Sequence, residues 1–280
     1  MRALVTGGAG FVGTNLIKRL LKDEYEVVSF DNYSTGFKDN RQKGCTYFDV
    51  DITEKFDDWK EEFDVIFHLA ALARIQPSIK NPSETIKNNF DGTLNVLEYA
   101  RKKNTTVIYA GSSSKHHGLY GSPYAWSKYG GEELCKLYSE IYGLNTTICR
   151  FYNVYGSYHI RNGTYATVIG IFENQYLNNK PLTIVGDGKQ KRDFTHIDDI
   201  INGCYLAMIK GKQNEYMLCT NKTYSILQIA KMFKTKFKFL KSRPGERFGS
   251  TILNNNAKKI LGFEAKKNIK SYIKNFISVN

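Results

Sequence analysis

Apolar residues in the first half of the chain fall into two alternating patterns. Short, nearly continuous apolar runs indicate buried strands, and longer stretches with apolar residues three and four positions apart indicate helices. The predicted strands are Arg2–Thr6, Glu26–Phe30, Val65–Leu69, Thr106–Ala110 and Thr146–Phe151, and the predicted helices are Asn15–Lys22, Ser83–Lys103 and Ser127–Tyr142. Because strands that alternate with helices form parallel βαβ units, the pattern predicts an α/β fold with a Rossmann-type doubly wound parallel sheet.

The alternation loosens after about residue 153. A helix is predicted at Val168–Leu177, a strand at Leu182–Val185 and a helix at Ile197–Ile209, while Thr235–Lys241 alternates lysine with apolar residues, as an amphipathic strand or a helix end does. We interpret this half mainly as a smaller C-terminal lobe that closes over the carboxyl edge of the sheet. The predicted division assigns 1–153 with 193–219 to the Rossmann domain and 154–192 with 220–280 to the lobe.

The composition is typical of a folded chain without a membrane segment. The 280 residues are 41% hydrophobic and 14% aromatic, which is enough for a substantial core. No apolar run approaches the ~20 residues needed to cross a bilayer. The run Ala3–Val5 is too short for a secretory signal. We therefore expect a cytoplasmic protein that does not bind membranes.

The charge and the cysteines narrow the range of partners. The formal charge is +13, from 40 basic and 27 acidic side chains. The lysines are spread along the chain without one dense block, so we expect no nucleic-acid partner and a positive field that helps an anionic small substrate approach. The cysteines, five in number, contain no Cys-x-x-Cys pair, so we expect reduced thiols and no metal site.

A glycine-rich turn, Gly7-Gly8-Ala9-Gly10-Phe11-Val12-Gly13, joins the first predicted strand to the first helix. Glycines there allow a tight turn and let a pyrophosphate approach the backbone, and the helix N-terminus offers N–H groups to its phosphates. Asp31 follows the second strand, 21 positions after Gly10, where a carboxylate can accept hydrogen bonds from both adenosine ribose hydroxyls and repels a 2′-phosphate. Since Asn32 rather than arginine comes next, the sequence favours NAD over NADP.

Tyr124 and Lys128 lie four positions apart, so on a helix they face the same way. A free tyrosine titrates near pH ~10. A lysine ammonium and an oxidised nicotinamide beside it stabilise the phenolate and make the tyrosine a usable base at neutral pH. The spacing alone is common by chance. It gains weight here because it follows a dinucleotide turn and the serine-rich strand end Tyr109–Ser114.

Together these motifs resemble the extended short-chain dehydrogenase/reductase family, in particular its NAD-dependent nucleotide-sugar epimerase and dehydratase branch of UDP-glucose 4-epimerase-like enzymes. The resemblance covers nearly the whole chain. Its motifs are TGGAGFVG at Thr6–Gly13, FDNYSTG at Phe30–Gly36, DI at Asp51-Ile52, HLAA at His68–Ala71, NNFDGTLNVLE at Asn88–Glu98, SPYAWSKYGGE at Ser122–Glu132, RFYNVYG at Arg150–Gly156, GDGKQKRDFTHIDD at Gly186–Asp199, RPGE at Arg243–Glu246 and AKKILGF at Ala257–Phe263.

The resemblance implies that the Rossmann domain binds NAD and that the smaller lobe binds a nucleotide sugar, with UDP favoured. The implied NAD contacts are Gly7, Gly10, Phe11, Val12, Gly13, Asp31, Asn32, Ser34, Gly36, Asp51, Ile52, Ala70, Ala71, Ala73, Asn89, Tyr124 and Lys128. The implied contacts of the nucleotide diphosphate and ribose are Asn153, Arg192, Arg243 and Glu246. Arginine forks suit phosphates, and a carboxylate suits ribose hydroxyls. The helices near 83–103 and 127–142 match those of the family's dimer interface, so a homodimer is expected.

The strand end before Tyr124 separates the activities of this family. Matching Gly118 to the family's Tyr-Gly puts Ser113 at the catalytic Ser/Thr, followed by Ser114 and Lys115. Sugar 4,6-dehydratases and decarboxylating relatives carry an acidic residue there, which a lysine cannot replace. The resemblance therefore favours 4-epimerisation by transient oxidation at carbon 4, with Ser113, Tyr124 and Lys128 as catalytic residues. The alternatives are a dehydratase, a decarboxylase or a catalytically silent NAD-binding regulator.

Two departures from the family pattern bear on the substrate. His117, preceded by His116, stands where the family usually has tyrosine, and only 11 positions separate Ser113 from Tyr124, where sugar 4-epimerases generally have a longer loop. A short loop favours a wider pocket or a different sugar. We interpret the two histidines as loop residues, with a proton relay as the alternative.

Overall fold

The computed structural model describes residues 1–56, 58–116, 118–245 and 256–280. The strands are β1 (Arg2–Thr6), β2 (Glu26–Asp31), β3 (Cys45–Asp49), β4 (Val65–His68), β5 (Thr106–Ser112), β6 (Thr146–Phe151), β7 (Asn153–Tyr155), β8 (Leu182–Val185), β9 (Lys191–His196), β10 (Glu215–Leu218), β11 (Thr223–Ser225) and β12 (Phe237–Leu240). The α-helices are α1 (Phe11–Lys22), α2 (Ile75–Lys80), α3 (Pro82–Ile86), α4 (Gly92–Lys103), α5 (Pro123–Tyr142), α6 (Val168–Leu177), α7 (Ile197–Lys210), α8 (Ile226–Met232) and α9 (Ile269–Val279).

Seven strands form one parallel sheet in the order β10-β6-β5-β4-β1-β2-β3. The order reverses at β1, which has β2 on one side and β4 on the other. Thr6 of β1 pairs with both Phe30 of β2 and His68 of β4, so these strands end level with one another. In doubly wound sheets, ligands bind outside the carboxyl ends of the strands at such a reversal. The topology therefore places a binding crevice beside the glycine turn.

Helices cover both faces of this sheet, and β1 shows why. Ala3 and Val5 point to one face and pack in a cluster with residues of α1 and α7, whereas Leu4 points to the other face and packs with residues of α4 and α5. All three side chains are fully buried. A strand that is apolar on both faces is typical of a parallel sheet between two helical layers. The predicted doubly wound α/β fold is confirmed.

The smaller lobe has its own sheets and its own core. β11, β9 and β7 form a three-stranded sheet, and β12 pairs with β8 in a two-stranded one. A separate cluster that includes Tyr155, Phe172 and Phe233 packs between α6, α8 and α9. The segment Ala257–Phe263 packs in the cluster of the large sheet, although the predicted division gave it to the lobe. The division itself stays a prediction.

The structure also shows where the sequence pattern was incomplete. The stretch predicted as one helix at Ser83–Lys103 contains α3, a π-helical turn at Lys87–Asp91 and α4. The ambiguous stretch Thr235–Lys241 contains the strand β12. The short strands β3, β7, β9, β10 and β11 were not predicted. Within the described ranges, none of the helices is both long and apolar enough to cross a bilayer.

Candidate active site

A cavity of about 920 Å³ opens where the strand order of the large sheet reverses. Such a volume suits a cofactor or a ligand of comparable size. The predicted residues that line it are Gly7, Gly10, Phe11, Val12, Gly13, Asp31, Asn32, Ser34, Gly36, Ile52, Ala70, Ala71, Ala73, Ser113, Tyr124, Lys128, Asn153, Arg192 and Arg243. Residues far apart in the sequence are thus brought to one surface.

Two close backbone approaches shape the glycine turn. Gly7 has a φ of +74°, and a Cβ there would lie 2.9 Å from the Cα of Ala70. A Cβ on Gly13 would lie 2.2 Å from the carbonyl oxygen of Gly7. Helix α1 begins at Phe11 without a side-chain cap, so its first N–H groups remain available to a ligand. A turn without side chains at an uncapped helix start fits the pyrophosphate of NAD.

Asp31 lies at the end of β2 and connects the glycine turn to the next loop. Its Oδ2 accepts a hydrogen bond from the Ala9 N–H at 2.8 Å, and its Oδ1 accepts one from the Tyr33 N–H, also at 2.8 Å. Burial raises the pKa of this carboxyl, and the two N–H donors act in the opposite direction. The side chain is therefore held in place at the cavity wall.

The start of α5 orients Tyr124. The Oγ of Ser122 accepts a hydrogen bond from the Ala125 N–H at 3.1 Å, and Pro123 occupies the first helical position, where no N–H partner is needed. In the first turn of this helix, the Tyr124 hydroxyl donates a hydrogen bond to the Oγ of Ser112 at 3.2 Å. The sequence placed the start of this helix later, at Ser127.

Lys128 lies one turn further along α5 and is 5% exposed. Its Nζ lies 4.1 Å from the centroid of the Tyr109 ring. Burial lowers the pKa of Lys128 to about 8, while the carboxylate of Glu132 acts in the opposite direction. A desolvated ammonium exerts a stronger field than an exposed one, because less water screens it. Lys128 therefore places a buried positive charge in the cavity wall, one helical turn from Tyr124.

The serines at the end of β5 differ in their contacts. Ser112, the last residue of the strand, accepts from Tyr124 and also bonds to the hydroxyl of Ser114. Ser112 and Ser113 both line the cavity. Lys115 does not line it, because its Nζ points to Glu132 (3.6 Å) and Glu215 (3.7 Å). The position for which the resemblance implies an acidic group in dehydratases is thus occupied here by a lysine that is ion-paired away from the cavity.

Two residues predicted to contact NAD do not line the cavity. Asn89, in the π-helical turn, bonds through its amide to the backbone of Leu72 and donates to the Oγ of Ser127 at 3.1 Å. Asp51 accepts from the Asn32 side chain at 3.1 Å. Both therefore position residues of the wall, Leu72 and Asn32, without lining it themselves. The predicted Glu246, and His117, lie outside the described residues.

The predicted substrate-binding residues come from the smaller lobe and its junction with the sheet. Asn153 begins β7 and donates through its Nδ2 to the Asp193 carbonyl oxygen at 3.0 Å. Arg192 lies on β9, and Arg243 follows β12. The lobe thus adds amide and guanidinium groups to a cavity whose opposite end holds the glycine turn.

Sequence reasoning did not single out Ser112 or Arg74, which both line the cavity. Ser112 stands in a run of three serines, so the strand pattern alone gave no reason to prefer it. Arg74 did carry a signal, since it is the one charged residue in the apolar segment Leu69–Ile75 that follows a buried strand. A charge placed there faces either an ion-pair partner or a ligand.

Comparison with known proteins agrees with this arrangement. Residues 3–219 match the model of the NAD dependent epimerase/dehydratase family. A protein of Methanocaldococcus jannaschii with the provisional name UDP-glucose 4-epimerase is 32% identical, over 98% of this chain and 97% of its own length. A UDP-N-acetyl-alpha-D-glucosaminuronate decarboxylase of Bacillus cytotoxicus is 34% identical, over 74% of this chain and 71% of its own. The crystal structure of Thermotoga maritima UDP-glucose 4-epimerase with UDP-glucose superimposes with a TM-score of 0.92 at 27% identity, covering 99% of this chain and 98% of the other.

Proposed function

The chain belongs to the NAD dependent epimerase/dehydratase family, and from this membership we propose that it interconverts the 4-epimers of a UDP-linked hexose. The observation that carries the proposal is the hydrogen bond between Tyr124 and Ser112 in the cavity, with the buried Lys128 one helical turn away. A tyrosine base, a hydroxyl partner and a lysine are sufficient side chains for oxidising and re-reducing one sugar carbon.

In this proposal the three side chains have separate roles. Ionised Tyr124 accepts the proton of the sugar 4-hydroxyl and later returns it. Lys128, with a pKa of about 8, is mostly protonated at neutral pH and stabilises the phenolate. The hydroxyl of Ser112 or Ser113 holds the 4-oxygen of the sugar. When bound, NAD supplies the oxidant for carbon 4 and then the reductant that restores it.

We assign the two ends of the cavity to the two ligands. The glycine turn, Asp31 and the loop Leu69–Ala73 form the NAD end, which corresponds to the proposed domain 1–153 with 193–219. Asn153, Arg192 and Arg243 are assigned to the nucleotide diphosphate and ribose, as part of or next to the proposed lobe 154–192 with 220–280. Two arginines suit a diphosphate, because each guanidinium can donate two parallel hydrogen bonds.

The acidic residues of the cavity support epimerisation over dehydration. Elimination of water from the sugar needs a general acid for the leaving hydroxyl, and the family resemblance implies a carboxyl group beside the base for this role. Of the described cavity residues, only Asp31 and Glu84 are acidic. Asp31 is engaged by the glycine turn, and Glu84 accepts from Asn81 at the start of α3. Neither lies on the strand end that carries Ser112.

The test is turnover of UDP-glucose, UDP-N-acetylglucosamine and UDP-glucuronate by the purified protein without added NAD, followed by proton NMR. We expect the 4-epimer of at least one of them to form, with the same equilibrium mixture reached from either epimer. Tyr124→Phe should abolish turnover while sugar binding, measured by calorimetry, persists. Formation of a 4-keto-6-deoxy sugar, or full activity of Tyr124→Phe, would contradict the proposal.

We also propose a homodimer that forms through α4 and α5. Helix α5 exposes large apolar side chains in its last two turns: Leu137 is 49% exposed, Ile141 66% and Tyr142 53%. Exposed apolar residues at helical spacing favour burial against a second copy. Sedimentation of the wild type and of an Ile141→Glu variant tests this, since the charge should shift a dimer towards monomer.

A further inference from the structure

Arg74 is a cation in the cavity wall without a counter-charge among the described residues. It ends the loop that follows β4 and immediately precedes α2. Its Nε donates to the carbonyl oxygen of Tyr165 at 2.9 Å, and its Nη1 donates to that of Ala73 at 2.7 Å. Across the described ranges, its Nη2 makes no hydrogen bond and no carboxylate lies within 4.0 Å of the guanidinium. Two of the three guanidinium nitrogens, Nε and Nη1, are thus held by backbone carbonyl groups, while Nη2 is left for a ligand.

The surroundings of Arg74 make this charge costly in the absence of an anion. Burial lowers the pKa of Arg74, and the hydroxyls of Tyr124 and Tyr165 act in the opposite direction. A partly buried guanidinium is stabilised by an anionic partner, since neutral carbonyl acceptors orient the group but do not neutralise it. An anion brought by the ligand would meet that need.

The loop that carries Arg74 is fixed relative to Tyr124. Asn89 bonds to both the N–H and the carbonyl oxygen of Leu72, two positions before Arg74. The same amide donates to Ser127, which lies between Tyr124 and Lys128 on α5. The guanidinium therefore sits on a support shared with the proposed base.

The position of Arg74 indicates which part of the substrate carries the anion. In the proposed function, Tyr124 must reach the 4-hydroxyl, so the hexose lies beside Tyr124. The diphosphate is assigned to Arg192 and Arg243 of the smaller lobe. We propose that Arg74 binds a carboxylate carried by the hexose, so that the substrate is a UDP-linked acidic sugar of the uronic acid type. This inference rests on the proposed function, because the role of Tyr124 fixes where the sugar lies.

The chemistry of both groups fits. A guanidinium presents donors in a planar fork that matches the two oxygens of a carboxylate, whereas a hydroxymethyl group at the same carbon offers one hydroxyl and no charge. A substrate without this carboxylate would leave the partly buried Arg74 without an anion. The site should therefore discriminate against neutral sugars as well as favour acidic ones.

The experiment compares UDP-glucuronate with UDP-glucose, which differ only at carbon 6 of the hexose. The wild type should prefer UDP-glucuronate in kcat/KM. Arg74→Gln should lower kcat/KM for UDP-glucuronate by about 10- to 100-fold, the scale of one charged hydrogen bond. The same variant should change kcat/KM for UDP-glucose by less than about threefold. Arg74→Lys keeps the charge and loses the planar fork of donors, so its kcat/KM for UDP-glucuronate should lie between those of the wild type and Arg74→Gln.

Lys80→Gln is the matched control, because it removes an exposed positive charge from the rim of the same cavity. Lys80→Gln should change kcat/KM for UDP-glucuronate and for UDP-glucose to a similar, small extent. A loss of selectivity as large as that of Arg74→Gln would assign the effect to the general field of the cavity and overturn the proposal. An equal loss of kcat/KM for UDP-glucuronate and UDP-glucose in Arg74→Gln would also overturn the proposal. Arg74 would then act on a group common to both sugars, or only through its hydrogen bond to the Tyr165 carbonyl oxygen.

Two outcomes separate this inference from the proposed function. If Arg74→Gln fails to fold, as judged by circular dichroism, the wild-type preference decides, and equal use of both sugars or a preference for UDP-glucose overturns the inference. If UDP-glucuronate binds in an Arg74-dependent way but yields a UDP-pentose and carbon dioxide, the acidic substrate is supported and 4-epimerisation is the part that fails.

Discussion

The Tyr124 hydroxyl donates its hydrogen bond to Ser112, at 3.2 Å, rather than to Ser113. Ser112 is the last residue of β5, and Ser113 begins a 3₁₀ turn. The strand therefore directs one serine to the phenol, and the turn presents the next one at the cavity wall. This difference of one position decides which serine hydroxyl bonds to the proposed base.

Replacement of the two serines should separate their roles. We expect Ser112→Ala to lower kcat by about 100-fold, the usual effect of removing a hydrogen-bond donor that holds a reacting oxygen. Ser113→Ala should lower it less than about tenfold. Steady-state kinetics at saturating sugar measures both. The reverse order would show that the hydroxyl of Ser113 takes over when the sugar binds, as the family resemblance implies.

Lys128 should leave a signature in stability. Its folded pKa of about 8 lies below its ordinary value of 10.5, because burial disfavours the charged form. Between these pH values the unfolded chain binds this proton more tightly than the folded one, so the free energy of unfolding should rise with pH across that window. The rise should reach about 3 kcal/mol at most and should be missing in Lys128→Met.

Urea unfolding of the wild type and of Lys128→Met at pH 7.5 and about pH 10 tests this. The other titrating groups contribute equally to both proteins, so the difference between the two free energies of unfolding reports Lys128 alone. Lys128→Met should also lose turnover by about 100-fold or more, because the phenolate of Tyr124 loses its neighbouring charge. If the free energy of unfolding of the wild type depended on pH in the same way as that of Lys128→Met, the inference that Lys128 is a buried ammonium would be contradicted.

Gly13 should tolerate no side chain. A Cβ there would lie 2.2 Å from the Gly7 carbonyl oxygen, a backbone atom that cannot turn away. Gly13→Ala should therefore open the turn, abolish retention of NAD and destabilise the fold by about 1–3 kcal/mol. Gly121→Ala is the control, since no atom of the described residues lies within 4 Å of a Cβ at that position. Cofactor content after purification and thermal unfolding measure the two effects.

Much of the fold could be predicted because its signals are local. The strands Arg2–Thr6 and Thr146–Phe151 were predicted with the observed bounds, since each has a short apolar segment, Ala3–Val5 or Ile148–Cys149, in a mostly buried stretch. β3 was missed because it is a half-exposed edge strand with only partial apolar character. The early start of α5 had a local signal in Ser122-Pro123, an N-cap followed by proline, which apolar periodicity does not register.

The candidate site also has parts that local sequence signals predict and parts that they do not. The glycine turn and Asp31 could be predicted because a dinucleotide imposes fixed local spacings on them. The choice between Ser112 and Ser113 could not, because it depends on where β5 ends within three identical residues. The environment of Arg74 could not either, since its partner Tyr165 lies 91 positions away and meets it only when the lobe packs over the sheet.

The last prediction concerns acid stability and the buried Arg150. The Arg150 side chain is fully buried, with Nη2 at 2.7 Å from Oε2 of Glu132 and 2.5 Å from Oε2 of Glu215. This contact lowers the pKa of Glu215 from its ordinary 4.5 to about 2. Because the folded pKa lies below the unfolded one, the carboxylate contributes its full stability above pH 4.5 and loses it as the pH falls towards 2.

Glu215→Gln should therefore unfold more easily at pH 7 and show a flatter loss of stability between pH 4.5 and 2. The pKa difference corresponds to about 3 kcal/mol. Since the Glu215 side chain is 35% exposed, solvent screening reduces the expected loss to about 1–2 kcal/mol. Glu54→Gln is the control, because Glu54 forms an exposed pair with Lys87, which does not contact Glu215, and should contribute less than about 0.5 kcal/mol. Equal acid profiles for the two variants would show that Glu132 alone compensates the buried guanidinium.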